Sequence, residues 1–179
     1  MITGIGKTTI NFIKNISGVI KLLADILYWM IIGPFKGKSA QRESIFSQMI
    51  FTGLRSAPIV FFVTIFTGIV LAMQSAYQLQ KMGAVLYVAS LVAVSLCREL
   101  GPVLTALVVA GRVGSAFAAE LGTMKVSEQI EALDTMAINP VRFLAVPRFI
   151  ALFFMLPCLT ILGNLSGMVG GYLVGAYSL

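Results

Sequence analysis

Two adjacent charges, Arg98 and Glu99, stand inside a long apolar stretch and are the residues best placed to do chemistry. A charge at the centre of a membrane helix costs roughly 2.5–3.5 kcal/mol on insertion scales, so such residues usually face a cavity or a partner. Arg98 could bind a phosphate, and Glu99 could hold Arg98 or gate a cavity. The alternative is a structural ion pair at a helix break, although adjacent residues point about 100° apart on a helix.

A second group of charges occupies a short amphipathic segment further along the chain. Glu128, Glu131 and Asp134 supply the charge, and the apolar residues of the segment fall on one helical face. These apolar residues are Ile130, Leu133, Met136 and Ala137. The pattern predicts a helix outside the hydrocarbon. Its charged residues form either a docking surface for a soluble partner or, as charge runs more often do, only a solvated face.

The residues of catalysis are missing from this sequence. It contains no histidine, which removes the commonest general base and metal ligand. Cys97 and Cys158 are isolated within apolar runs, so neither a disulfide nor a thiolate metal site is expected. No GxxxxGK[ST] phosphate loop occurs, so any ATP hydrolysis would need a separate ATPase. We expect no catalytic residue, no metal and no cofactor in this chain.

The composition is that of an integral membrane protein. Of its 179 residues, 58% are hydrophobic and 11% charged, whereas soluble domains carry about 25% charged residues. The net charge of +6 is spread thinly beside hydrophobic segments, where it sets topology rather than binding nucleic acid. The sequence predicts one all-α membrane domain without a cleavable signal peptide.

The periodicity divides the chain into a peripheral helix and about three spans. Residues 1–34 form a helix with a polar stripe of Lys7, Asn11, Lys14, Lys21 and Asp25, typical of a helix lying in the membrane interface. A tilted spanning helix is the alternative. Residues 57–80 and 149–178 are the first and third spans. Residues 125–140 hold the amphipathic helix.

The stretch 83–122 is too long for one simple span. Either two helices cross, or one long helix is broken near Pro102, whose ring removes a backbone hydrogen bond. Basic residues between 35 and 55 and beyond 122 indicate the cytoplasmic side, whereas Lys81 stands alone on the other. Those basic residues are Lys36, Lys38, Arg42, Arg55, Lys125, Arg142 and Arg148. Because Lys81 precedes this stretch and Lys125 follows it on the opposite side of the membrane, the stretch crosses once, which favours one broken helix.

Small residues recur at the four-residue spacing that lets helices approach closely in lipid. Gly111 and Gly114 begin two such series, and a longer ladder follows near the end of the chain. The ladder consists of Gly163, Gly167, Gly171 and Gly175. We expect these glycines to pack helices, either within the protomer or across a dimer.

Three motifs together resemble the MlaE family of ABC-transporter permeases. They are RELGP at 98–102, AGRVGSAFAAELGTM at 110–124 and EQIEALDTMAINP at 128–140. The likeness also takes in GIVLAMQ at 68–74 and the glycine-rich last span, and it is weaker over the first fifty residues. It implies a non-enzymatic permease subunit that moves phospholipids between membranes as a homodimer, with cytoplasmic ATPase subunits and an MCE-domain protein as partners.

The resemblance also assigns roles to particular residues. It implies a lipid cavity containing Arg98 and Glu99, to which we add the nearby Gln74, Gln78 and Met82, and a coupling helix through which the ATPase acts. The coupling residues are Glu128, Glu131, Leu133, Asp134 and Met136. ATP would be bound by the partner alone. The implied location is the inner membrane of a Gram-negative cell, or the inner envelope of a plastid.

Family members carry further spanning helices after the glycine ladder. Their absence here implies either a truncated chain or a shortened member. A non-transporting membrane scaffold, with the glycine ladder as its oligomer interface, is the alternative function.

Overall fold

The computed structural model describes residues 2–35 and 42–178, and it describes side chains for residues 10–30 and 43–177. The predicted basic residues Lys36 and Lys38, and the side chains of Lys7 and Arg42, lie outside these described residues. Within them the chain is helical and has no strand. The predicted all-α class is confirmed.

Three helical segments are long and apolar enough to cross a membrane, as predicted. They are Glu43–Gln80, Val85–Val126 and Val141–Tyr177. The first consists of helix α2 (Arg42–Met49), a π-helical turn (Ile50–Leu54) and helix α3 (Ala57–Gln80). Pro58 lies in the first turn of α3, where a missing N–H costs nothing because that group has no partner within the helix.

The second segment is helical throughout but changes its winding repeatedly. A 3₁₀ turn (Val85–Tyr87) leads into α4 (Val88–Ser95), and α5 (Gly101–Val109) and α6 (Ser115–Val126) follow. π-helical turns at Leu96–Leu100 and Ala110–Gly114 separate these helices. The helical path is therefore unbroken from Val85 to Val126, while its number of membrane crossings stays a prediction.

The third segment begins at a capped helix end. The side-chain Oδ1 of Asn139 accepts hydrogen bonds from the backbone N–H groups of Val141 (3.0 Å) and Arg142 (3.3 Å). This is an N-cap, with proline in the following position. The third segment therefore starts at Val141 rather than at Phe149. A π-helical turn (Val141–Ala145) precedes the long helix α8 (Val146–Ser178).

Helices α3 and α8 form the principal interface of the chain, and α4 and α5 pack against both. The buried apolar residues form two clusters along this bundle rather than one central core. One cluster is Val60, Val109, Val113 and Leu159, and the other is Ala72, Ala76, Val88, Val92 and Leu96.

The two ends of the bundle differ in chemistry. One end, here called the arginine end, carries Arg55, Arg112, Arg142 and Arg148. The other, here called the tyrosine end, carries Tyr77, Tyr87, Tyr172 and Tyr177, all exposed. Tyrosines gather at membrane–water interfaces, and basic residues mark the cytoplasmic side. By this rule the arginine end is cytoplasmic.

Helix α1 (Ile2–Phe35) touches the bundle only near its C-terminal end. There Ile26 is buried, and the guanidinium of Arg142 lies 5.4 Å from the centre of the Trp29 ring. The apolar side chains between Ile10 and Leu23 are exposed. The orientation of α1 in the membrane interface stays a prediction.

Candidate functional site

The π-helical turn Leu96–Leu100 carries Arg98 and Glu99 about one third of the way along the second span. The side chain of Leu96 is fully buried and lies against Gly167 of α8. Because Gly167 also meets Gly68 in the middle of α3, the turn lies level with the middle of the first span, the depth expected for the membrane interior.

A proline and a glycine shape this turn. Pro102 has no N–H to donate to the preceding turn, and the wider π-helical winding is found directly before it. Gly101 is pressed against the side-chain amide of Asn164. A Cβ at Gly101 would collide with Asn164 Oδ1 and would lie 2.7 Å from the carbonyl oxygen of Leu96. Only glycine fits here without a shift of the neighbouring helix.

Both charged side chains point away from the bundle. Arg98 and Glu99 are exposed, and among the described residues neither belongs to an ion pair. The structural ion pair that was the alternative for these residues is not formed among the described residues, and the role of the two charges stays a prediction. Exposed charges at this depth require a polar neighbour that the chain itself does not provide.

The remaining residues of the predicted lipid cavity are also on the outside. Gln74 and Gln78 are exposed on α3, and Met82 is 78% exposed in the connection that follows. None of them lines either of the two cavities described below. The structure therefore does not gather the predicted lipid-cavity residues within one chain, and their role stays a prediction.

An apolar cavity of about 550 Å³ opens at the tyrosine end between α3, α4 and α8. Its lining includes Ala72, Val88, Val92, Met168, Gly171 and Tyr172. Small residues create the space, because their short side chains do not fill the gap between the helices. The sequence analysis did not predict this cavity, since a run of small apolar residues reads equally well as tight packing.

The predicted packing glycines divide into two groups. Gly163, Gly167 and Gly171 are in close contact with α3, α4 or α5. A Cβ added at Gly111, Gly114 or Gly175 would have no neighbour within 4 Å. The first group packs within the protomer, and the second is free for contacts outside the described chain.

Two further glycines pack more tightly than any predicted one. A Cβ at Gly68 would collide with the backbone carbonyl of Gly167, and one at Gly170 with the carbonyl of Ile65. Helices α3 and α8 therefore touch backbone to backbone. We call the contact formed by Gly68, Gly167 and Gly170 the glycine seam. Gly170 lies off the four-residue ladder, which is why the spacing did not reveal it.

Polar side chains are buried beside the seam. The hydroxyl groups of Thr64 and Ser166 are hydrogen-bonded at 2.5 Å, and each also lies within hydrogen-bond distance of an accepting carbonyl of its own helix, Val60 O and Gly163 O. Thr105 Oγ1 and Asn164 Oδ1 are buried without a hydrogen-bond partner among the described residues. Interhelical hydrogen bonds of this kind add roughly 0.6 kcal/mol each in membrane proteins.

Helix α7 (Gln129–Thr135) is bracketed by two left-handed residues, Glu128 (φ 57°) and Ala137 (φ 58°). At its C-terminal end Ile138 N–H bonds to the carbonyl of Leu133 (3.0 Å), and Ala137 N–H to that of Asp134 (3.0 Å). This is a Schellman motif with alanine where glycine is usual. The amphipathic segment is thus a short helix with a sharply defined turn at each end.

The predicted coupling residues are largely free of contacts with the bundle. Glu128, Glu131, Asp134 and Met136 are exposed, and Leu133 is half-buried. The carboxylate of Glu131 pairs with the ammonium of Lys125 on α6. That hydrogen bond lowers the pKa of Glu131 below its ordinary value. α7 offers an acidic surface next to apolar side chains, as a docking surface requires.

Charged and aromatic side chains tie the helices together at the arginine end. Arg112 Nη1 donates to Ser56 Oγ at 2.7 Å, which joins α5–α6 to the start of α3. Arg148 Nη2 lies 2.8 Å from Glu120 Oε2, and its guanidinium stands 4.8 Å from the centre of the Phe117 ring. The side chain of Arg148 is only 7% exposed. Arg112 and Glu120 therefore make contacts between helices.

The family model of permease MlaE matches residues 45–179. The chain belongs to the MlaE permease family. A probable ABC transporter permease of Rickettsia typhi is 43% identical over 175 residues, covering 98% of this chain and 66% of that relative. The intermembrane phospholipid transport system permease protein MlaE of Haemophilus influenzae is 38% identical over 177 residues, covering 97% and 65%.

A plant relative shows how widely the MlaE sequence pattern extends. The chloroplastic protein TRIGALACTOSYLDIACYLGLYCEROL 1 of Arabidopsis thaliana is 37% identical over 145 residues, covering 81% of this chain and 41% of that relative. The chain thus spans about two thirds of the length of its bacterial relatives or less. The family is that of a permease, and the described residues of this chain contain three helices long and apolar enough to cross a membrane.

One polar contact at the arginine end was not predicted from the sequence. Arg148 was read only as a marker of the cytoplasmic side, yet it is buried and paired with Glu120. An arginine that follows a proline at the start of an apolar helix was the available signal. Its position gave no information about which carboxylate it would meet.

Proposed function

We propose that this chain is the membrane permease subunit of an ABC transporter that moves phospholipids between membranes. The observation that carries the proposal is the exposed Arg98–Glu99 pair at the depth of the membrane interior, in a chain of the MlaE permease family. A charge there needs a polar neighbour, and a phospholipid headgroup entering from the side provides both a phosphate and polar groups.

The lipid site is completed by a second copy of the chain. Arg98 and Glu99 lie on the outside of the protomer together with Gln74, Gln78 and Met82, which supports a cavity formed between two protomers rather than within one. The free glycines Gly111, Gly114 and Gly175 suit the close approach of another helix. A homodimer with a shared lipid cavity follows from this arrangement.

The energy for transport comes from ATPase subunits that dock at α7. Its exposed acidic and apolar residues lie outside the spans, at the arginine end. The tight turn at Glu128 holds α7 to α6, and the one at Ala137 joins α7 to the third segment, so a movement of the docked ATPase is passed to the spans on either side of α7. ATP is bound by the partner and not by this chain.

The membrane and the remaining partner follow from the same role. The permease lies in the inner membrane of a bacterial envelope, and a lipid-binding MCE-domain protein receives or delivers phospholipid at the tyrosine end. The plastid inner envelope is the corresponding location in a plant cell. The relative named for intermembrane phospholipid transport supports this assignment.

The docking role of α7 is tested by the double substitution Glu131→Lys with Leu133→Asp. It reverses a charge and places another in the apolar face, so we expect the ATPase to be lost from the purified complex. Co-purification from detergent-solubilised membranes, read by mass spectrometry, measures this. Glu43→Lys is the matched control, because Glu43 is an exposed carboxylate at the same end but away from α7.

Normal recovery of the ATPase with the double variant would contradict the docking role. Recovery of the wild-type chain with neither ATPase nor phospholipid would instead favour a membrane scaffold without transport activity.

A further inference from the structure

A polar cavity of about 370 Å³ lies at the arginine end, far from the Arg98–Glu99 pair. It is formed by α2, the π-helical turn after it with Arg55, and the middle of α6. Its lining residues are Ser47, Gln48, Ile50, Phe51, Arg55 and Glu120. Glu120 is 22 residues from Arg98 along one helical path, or about 33 Å at 1.5 Å per residue. The cavity is therefore separate from the proposed transport site.

The cavity holds an unpaired cation and a partly free carboxylate. Arg55 has no carboxylate partner among the described residues, and its guanidinium lies 5.6 Å from the centre of the Phe51 ring. Glu120 uses Oε2 to bind Arg148, and within the described chain no hydrogen bond reaches its other oxygen. Since Arg55 and Glu120 do not bind each other, a ligand with both signs of charge can satisfy both.

A buried acceptor strengthens this requirement. Gln48 Oε1 is buried and accepts no hydrogen bond from any described residue. Leaving such a group unpaired costs about 1–3 kcal/mol. A ligand that donates hydrogen bonds towards Gln48 and Glu120, and accepts them from Arg55, matches all the polar groups described here.

An apolar stripe runs beside the cavity on the outside of the chain. Leu54, Phe62 and Phe66 are all more than half exposed and lead from the cavity along the first span. At the arginine end of a membrane protein this stripe faces lipid or a neighbouring protein. It lies where the acyl chain of a molecule with its headgroup in the cavity would run.

We propose that this cavity binds the headgroup of a zwitterionic phospholipid of the cytoplasmic leaflet, one that carries a primary ammonium group. The phosphate binds Arg55, and the ammonium donates to Glu120 and Gln48. The acyl chains lie along Leu54, Phe62 and Phe66. The role of this site is to hold a lipid at the arginine end of the bundle, whether or not the chain transports lipid elsewhere.

The test is lipid binding to the purified full chain in detergent, measured by native mass spectrometry. The probes are dioleoyl phosphatidylethanolamine and dioleoyl phosphatidylglycerol. We expect the wild type to bind the first more tightly. Arg55→Gln should weaken both about tenfold, because one charge-assisted hydrogen bond to phosphate is lost. Gln48→Leu should weaken only phosphatidylethanolamine.

Arg142→Gln is the matched control. Arg142 also stacks on an aromatic ring at this end, but it does not line the cavity, so lipid binding should be unchanged. Equal binding by wild type and Arg55→Gln would overturn the proposal. So would a wild type without preference for phosphatidylethanolamine, a result that needs no variant and stays decisive even if a variant unfolds.

The source of the headgroup is tested with soluble glycerophosphoethanolamine. We expect no displacement of lipid by an equal concentration of it, because the acyl chains contribute to binding. Displacement at equal concentration would overturn the assignment to a membrane lipid and would identify a site for a soluble phosphodiester.

Discussion

The glycine seam and the Arg98–Glu99 turn lie at nearly the same depth, yet they satisfy opposite requirements. At the seam, α3 and α8 touch backbone to backbone, and the hydroxyl groups of Thr64 and Ser166 bind each other. At the turn, two charges face outward without a partner in the described chain. The contacts of the seam are complete in one protomer, whereas the partner of the turn is, in our proposal, a second chain or a ligand.

This difference separates residues that hold the fold from residues available for function. Substitutions in the seam should change stability and leave exposed chemistry intact. Substitutions at the exposed turn, or on α7, should change binding with little effect on stability. The following predictions test this separation, from the largest expected effect to the smallest.

Gly68→Ala should destabilise the chain by about 2 kcal/mol or more, because the added Cβ meets the carbonyl of Gly167 and forces α3 and α8 apart. Gly122→Ala is the matched control: it lies in α6 with no neighbour within 4 Å, and its higher helix propensity should stabilise by up to about 1 kcal/mol. Thermal unfolding in detergent measures both. Equal stability of the two variants would show that the backbone contact at Gly68 does not hold α3 and α8 together.

Ala137→Gly should stabilise α7 by about 1 kcal/mol, because alanine pays roughly that penalty for its left-handed conformation and glycine does not. Ala132→Gly, in the middle of α7, should have the opposite sign and similar size. Hydrogen exchange of the α7 amides measures the two effects. If both variants exchange faster than wild type, the Schellman end of α7 is not formed.

Acidification should loosen the junction of α6 and α7. The hydrogen bond from Lys125 lowers the pKa of Glu131. The ion pair therefore stabilises the junction above the ordinary glutamate pKa of about 4.5, and this stabilisation is lost as the pH falls through the lowered pKa. The effect should be small because the pair is exposed. Hydrogen exchange of the α7 amides, corrected for intrinsic rates, should show it.

Glu131→Gln should abolish this pH dependence, whereas Glu128→Gln should preserve it. If the hydrogen exchange of the α7 amides depended on pH in the same way in wild type and Glu131→Gln, another titrating group would control the stability of the junction.

The sequence predicted the parts of the fold that depend on local pattern. The three spans and the all-α class followed from hydrophobicity and length, and both are confirmed. The start of the third helical segment was misplaced towards Phe149, because a polar Asn139–Pro140 pair reads as an end when it is also the cap of the next helix.

Contacts between distant residues were beyond the reach of the pattern. Nothing in the spacing of Gly170 or Gly68 shows that each meets a carbonyl of the opposite helix. In the same way, the partner of Arg148 depends on how α6 and α8 are placed in three dimensions. The sequence identified Arg98 and Glu99 as unusual charges in an apolar stretch. It did not show that both side chains are exposed in the single chain.

The most direct test of the separation between fold and function is the double substitution Arg98→Ala with Glu99→Ala in the assembled transporter. Phospholipid content and thermal unfolding are measured on the same purified sample. We predict that bound phospholipid falls by about half or more while stability is nearly unchanged, because both side chains are exposed in the protomer. Unchanged lipid together with a large loss of stability would contradict the account and make the charges structural.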